Sequence, residues 1–211
     1  MEPGAPLAPG HIYESNRLTL ASLITLSGAV PQPYPIVADT PDRTVAALQE
    51  ALAASDLVVT CGGVSVGEMD FVKSAFEQLG GSLEFWKVSV KPGRPFVFGR
   101  CRERFLFGLP GNPVSAFVTF LLLVRPALLR LQGISDTTLP SHPGVLSEPI
   151  ANPGGRRHFV RVILNASGAV RSAGTQASHL LASLAAANGL VDVPAGSTLP
   201  AGTQVRVLCW S

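Results

Sequence analysis

Three short segments concentrate the residue types that can hold an anionic ligand. The first, Cys61-Gly62-Gly63-Val64-Ser65-Val66-Gly67-Glu68-Met69-Asp70, follows a β-branched run at 57–60 and leads toward a helix. The second, Leu109-Pro110-Gly111-Asn112-Pro113-Val114-Ser115, follows an apolar run at 105–109 and opens a long helical pattern. Open α/β sheets bind ligands at the carboxyl ends of their strands, where helix N-termini turn unpaired N–H groups outward. Glycine lets a backbone approach a phosphate closely, and a helix N-terminus stabilises an anion by about 0.3–1 kcal/mol, or about 2 where partly buried. The third segment, Phe85-Trp86-Lys87-Val88-Ser89-Val90-Lys91-Pro92-Gly93-Arg94-Pro95, gathers Lys87, Lys91 and Arg94 at the end of a strand. Charge-assisted bonds from such groups contribute roughly 1.5–3 kcal/mol each. Asp39 and Asp70 add carboxylates able to ligate a hard divalent cation, although as isolated residues both are more often helix N-caps.

Other chemistries fit these segments less well. No Gly-Lys-Ser/Thr follows the glycines and no Gly-x-Gly-x-x-Gly opens a helix, so P-loop and dinucleotide readings fall. Gly63-Val64-Ser65-Val66-Gly67 does match the serine-hydrolase nucleophile pattern, and chain order permits Asp136 and His158 as its partners. Against it, Ser65 lies several residues past the strand, and His158 falls in a different part of the chain. Two tight turns and a solvated cationic turn are the plain structural alternative.

The composition supports a folded chain with a local anion site. Hydrophobic residues are 46% and charged residues 14% of 211, too apolar for disorder. Basic residues exceed acidic ones by only two, and no basic run marks a nucleic-acid or membrane-surface footprint. The eleven-residue apolar run at 114–124 is shorter than the roughly 20 residues that span a bilayer and predicts a buried helix. The N-terminus lacks a signal-peptide pattern, which gives a cytoplasmic expectation. Cys61, Cys101 and Cys209 form no Cys-x-x-Cys pair and are expected to be core thiols.

The elements that must position these groups follow from periodicity. Ser15 or Asn16 caps a helix with apolar positions Leu18, Ala21, Ile24 and Leu26, and Gly28 stops it. Thr40-Pro41 starts a second helix with Val45, Leu48 and Leu52 on one face, ending near Ser55. A buried strand at 57–60, a helix after Asp70, strands at 83–90, 96–98 and 105–109, and a helix to Leu131 complete an α/β layered unit. Beyond Gly133 short alternating runs at 159–164 and 205–209, with one short helix near 180–187, predict a small β-rich unit.

Taken together, these segments closely resemble MoeA-type molybdopterin molybdenumtransferases. The resemblance rests on the Gly62–Asp70 loop pattern, on Lys87-x-x-x-Lys91-Pro92-Gly93-Arg94-Pro95 and on Pro110-Gly111-Asn112-Pro113-Val114-Ser115. Gly10-His11-Ile12-Tyr13-Glu14-Ser15-Asn16 is similar to the family's segment before its first helix. Gly174-Thr175-Gln176-Ala177-Ser178-His179 with Asn188-Gly189-Leu190 is similar to its C-terminal unit. The resemblance implies a MoaB/Mog-like three-layer α/β domain over residues 1–137, followed by a small β-barrel-like domain over 138–211. It implies insertion of molybdate into adenylylated molybdopterin with magnesium-assisted release of AMP, by a homodimer with no nucleic-acid or membrane partner. Asp39, Asp70 and Lys91 then have catalytic roles, with Asp39 and Asp70 on the metal. Gly62, Gly63, Ser65, Gly67, Lys87, Lys91, Pro92, Gly93, Arg94, Pro110, Gly111, Asn112, Pro113 and Ser115 then bind the substrate. Family members carry further N-terminal domains, and a first strand of the α/β domain that is not found here, so the chain reads as part of a longer protein. A pterin-binding module without turnover, or an interaction scaffold, is the alternative.

Overall fold

A computed structural model describes residues 1–63 and 71–210. Its first sheet has the order β1-β5-β4-β2, from β1 (Leu57–Cys61), β2 (Ser82–Trp86), β4 (Val97–Cys101) and β5 (Arg104–Leu109). β1 runs parallel to β5, and the β5–β4 and β4–β2 pairs are antiparallel. Side chains alternate across β5. Phe107 and Leu109 join Leu20, Leu23, Val114 and Phe117 on one face, and Leu106 joins Leu48, Leu52, Ala75 and Phe76 on the other. The first face is covered by α1 (Asn16–Leu26) and the helix Pro113–Leu131, the second by α2 (Pro41–Ala54) and α3 (Phe71–Gln78), which makes three layers. Phe76 is fully buried, and Cβ positions on Gly81 and Gly99 would each lie 2.5 Å from its ring. Glycine is thus needed there for side-chain packing.

The helix Pro113–Leu131 consists of α4 (Pro113–Thr119), a π-helical turn (Phe120–Val124) and α5 (Arg125–Leu131). Pro126 has no N–H to give, and the π turn immediately before it absorbs the broken register. By length and composition this helix could cross a bilayer, but Val114, Val118, Phe120, Leu121 and Val124 lie in the core.

Two sequence expectations about elements change. Leu18 and Leu26 are exposed, and α1 buries Leu20 and Leu23 instead. The three-to-four residue spacing admits either stripe, and only packing against α4 selects one. The strand expected over 83–90 is split: β2 stops at Trp86, and β3 (Val90–Lys91) belongs to the second sheet. Lys87 makes the break. Its φ is 77°, a left-handed conformation unfavourable for a residue with a Cβ.

The second sheet contains β6 (Ser141–Leu146), β8 (Arg157–Leu164), β9 (Ala169–Ser172), β10 (Gly189–Val193) and β12 (Gln204–Cys209). The β10–β8 pairing closes these strands into a small barrel around Val160, Val162, Val170, Val191 and Val207. β7 (Ile150–Asn152) and β11 (Ser197–Leu199) form a separate ribbon, and α6 (Leu181–Ala185) lies outside. β3 pairs in parallel with β8, setting Lys91 opposite His158, so the cationic segment is part of both sheets' connections. Phe159, Leu184 and Leu190 of the barrel region also lie in the same core cluster as Leu20 and Val114.

His158 is buried at that joint, and neither ring nitrogen has a hydrogen-bond partner among the described residues. Burial, then the positive charges of Lys91, Arg161 and Arg156, push its pKa down to about 4. An unfolded imidazole titrates near ~6.5, so below that pH the unfolded chain takes up a proton that the folded one resists. Stability contributed by neutral His158 is therefore lost as pH falls from about 6.5 toward about 4, at up to about 1.4 kcal/mol per pH unit. Thermal melts across this range are expected to show that fall, and a shallower one for His158→Leu.

Candidate anion-binding site

Three successive carbonyls at the end of β5 each accept a bond, two from the first glycine loop and one from α1. Gly62 N donates to Leu109 O at 3.0 Å, Cys61 Sγ to Pro110 O at 3.2 Å, and Asn16 Nδ2 to Gly111 O at 2.7 Å. A Cβ on Gly111 would stand 3.7 Å from Gly62 Cα. The loops are therefore in contact at the carboxyl ends of adjacent parallel strands, as their strand-end positions suggest. Gly62 and Gly63 have φ of 84° and 67°, a region that glycine enters without a Cβ penalty.

The cationic turn packs through Gly93 on the helix that the second glycine loop opens. With φ of 108°, Gly93 is buried against α4, and a Cβ there would lie 2.3 Å from Thr119 Cγ2 and 3.6 Å from Ser115 O. The turn is closed by Lys87 N donating to Phe96 O at 2.8 Å and Val88 N donating to Arg94 O at 3.1 Å. Pro92 is buried with Gly93, whereas Lys87, Lys91 and Arg94 are exposed. Packing thus fixes the backbone of the turn and leaves its three cations on the surface.

The barrel supplies the remaining wall. Asn112 Nδ2 donates to Ser178 Oγ at 3.1 Å, and Val114 N donates to Ser178 O at 3.2 Å. One N–H at the start of α4 is therefore occupied within the fold, contrary to the expectation that this helix end faces a ligand freely. The loop carrying Ser178 is held by Arg161, which is fully buried: Nη2 donates to Thr175 O at 2.9 Å and to Ala177 O at 3.2 Å, and Nε to Ser183 Oγ at 3.2 Å. Gln176 brackets the Arg161 backbone, accepting from its N at 2.9 Å and donating to its O at 3.0 Å. Burial lowers the Arg161 pKa, and no carboxylate pairs with it among the described residues.

Among the expected site residues, Gly62, Gly63, Pro110, Gly111, Asn112, Pro113, Ser115, Pro92 and Gly93 are brought together by these contacts, with Lys91 and Arg94 carried on the turn. Ser115 is buried, and its carbonyl accepts from Thr119 Oγ1 at 2.7 Å. Asp39 is exposed just before α2. Ser65, Gly67 and Asp70 lie outside the described residues. Among those described, no three His, Cys, Asp or Glu side chains converge. Asp39 alone does not make a magnesium site.

Two further expectations are corrected. Cys61 is not a core thiol, since it ends β1 and is exposed, whereas Cys101 and Cys209 are buried. Its sulfur is nonetheless desolvated, which pushes the thiol up to about 12 and keeps it protonated at neutral pH. The hydrolase arrangement is not assembled. Asp136 accepts from Thr138 N at 3.0 Å and Thr138 Oγ1 at 2.7 Å, and neither ring nitrogen of His158 has a partner among the described residues. Asn16, Thr119, Arg161 and Ser178 carry little site signal in the sequence. Two of them, Asn16 and Ser178, lie in the Gly10–Asn16 and Gly174–His179 segments.

A model described as a probable molybdopterin binding domain matches residues 4–130, and the MoeA C-terminal region (domain IV) matches residues 143–210. Molybdopterin molybdenumtransferase 2 of Mycobacterium tuberculosis is 41% identical over 212 aligned residues, covering 97% of this chain and 52% of that protein. Molybdopterin molybdenumtransferase of Haemophilus influenzae is 37% identical, covering 94% of this chain and 52% of its own length. The crystal structure of a molybdopterin biosynthesis MoeA protein from Pyrococcus horikosii matches 100% of this chain and 51% of that one, with a TM-score of 0.86 at 28% identity. The chain spans about half the length of the curated relatives it matches. With a strand-end cradle between glycine loops and both family models in order along it, the chain belongs to the molybdopterin-binding domain family and carries the MoeA C-terminal region after that domain.

Proposed function

We propose that this chain binds adenylylated molybdopterin across the two glycine loops and takes part in inserting molybdate into its dithiolene, with release of AMP. The observation that carries this reading is the contact of the Gly62 and Gly111 loops at one sheet end, with the Gly93 turn packed on Ser115 and Thr119 of the helix that the second loop opens. In this reading the glycine backbones admit the pterin phosphate, and Lys87, Lys91 and Arg94 hold phosphate and oxyanion. Residues 1–137 form the pterin-binding unit, and 138–211 supplies the wall that carries Ser178. Asp39 and Asp70 are the reaction's carboxylates, with magnesium their expected ion and Lys91 the main cation at the reacting group. A homodimer acting in the cytoplasm belongs to the same reading. The relatives named molybdenumtransferases support turnover by the longer protein.

The direct test is anaerobic calorimetry with adenylylated molybdopterin against AMP alone. Tighter binding of the pterin nucleotide is expected, and equal affinity for both would remove the pterin from the reading. Lys91→Ala should weaken pterin-nucleotide binding roughly ten- to a hundredfold while the fold is retained, because it removes one charge-assisted contact from an exposed residue.

Gly93→Ala should also weaken binding, by a different route. The added Cβ has no room against Thr119 Cγ2, so the turn must lift from α4 and carry its cations away. Calorimetry and a melting curve on the same sample should show both lower affinity and lower stability. Lys91→Ala should show the first without the second.

A further inference from the structure

Asn16 is the first residue of α1, yet its side chain does not serve that helix. Ser15, at the N-cap, makes no side-chain cap bond, and Glu14 Oε1 accepts from Arg17 N at 2.9 Å. The Asn16 amide instead donates to Gly111 O, 95 positions away. Its orientation follows from that acceptor, which only the Nδ2 end can satisfy. Its Oδ1 is buried and has no partner among the described residues. The Cys61 thiol also feels this amide, which acts to lower the thiol pKa against the larger effect of burial.

Of these three carbonyl bonds, two come from Cys61 and Gly62 at the end of β1 and join the glycine loops, whereas the third ties Gly111 to α1. Those two follow from the β1–β5 register and stop at Pro110. Gly111 is where the second loop leaves the sheet, it has no side chain to anchor it, and Asn16 is what restrains its carbonyl. We infer that Asn16 is a positioning residue that ties the second glycine loop to α1 at Gly111, and so sets where that loop stands beside the first and with it the width of the anion cradle. The inference rests on the pterin-nucleotide reading of the same site. It acts through Gly111 rather than by touching the ligand.

Asn16→Asp keeps the shape but sets an acceptor against the Gly111 carbonyl, and Asn16→Leu removes the donor with an apolar side chain of similar size. Leu20→Ala, four residues along α1 in the core, is the control for helix loosening without loss of the bond. Each is titrated with adenylylated molybdopterin, and exchange of the Gly62 amide, bonded to Leu109 O, is followed by NMR. Both Asn16 variants should bind about tenfold more weakly and exchange Gly62 faster, whereas Leu20→Ala, though less stable, should keep wild-type affinity and exchange. Wild-type behaviour of Asn16→Asp or Asn16→Leu in both measurements, or an equal loss in Leu20→Ala, overturns the assignment. If the wild-type chain itself fails to bind, the pterin reading is what falls, and Gly62 exchange alone decides whether Asn16 holds the loops.

Discussion

At Leu109, β5 stops being a strand, but its next carbonyls are not released to solvent. Leu109, Pro110 and Gly111 each accept a bond, from Gly62, Cys61 and Asn16 respectively. A loop with unsatisfied carbonyls is free to sample many paths, and ordering each residue costs about 1–2 kcal/mol of conformational entropy. Satisfying three in a row defines one path. Everything else at the site is set from that path: the start of α4, the bonds from Asn112 and Val114 to Ser178, and the surface of α4 on which Gly93 rests.

The α4 surface explains why a long apolar helix accompanies a polar site. Its buried positions anchor the sheet's first face, while its first turns present Ser115 and Thr119 to the cationic turn. Only glycine fits between Thr119 and the backbone at position 93, so the turn is held close enough for Lys91 to lie across from His158. The cost is a neutral histidine kept among positive charges. The β3–β8 pairing and the core positions of Phe159, Leu184 and Leu190 compensate by joining the barrel to the sheet.

The layered fold was legible because its signals are local. Val45, Leu48 and Leu52 mark one face of α2, and the apolar run before Gly62 marks β1, as both periods require. The two glycine loops and the cationic turn were legible for the same reason. What was not legible depends on contacts distant in sequence. The pattern in 18–26 fits two helical stripes, and α4 selects the one containing Leu20 and Leu23. The break at Lys87 lacks the glycine or proline that usually announces one, because β3 is drawn away by β8. Asn16 reads as a helix cap, and nothing near it in sequence discloses a partner at Gly111.

Arg161 shows how the same distinction extends from local structure to electrostatics. A charged group is rarely buried without an opposite charge, since leaving water costs several kcal/mol even after relaxation. Here the compensation comes from dipoles: the Thr175 and Ala177 carbonyls and the Ser183 hydroxyl, with Gln176 closing the backbone beside them. Pairing with a carboxylate would neutralise the charge, whereas carbonyl dipoles solvate it and leave its field in place. That field adds to those of Lys91 and Arg156 at His158, and all three are positive. The joint between the barrel and the sheet is therefore electropositive from the inside as well as on the exposed turn.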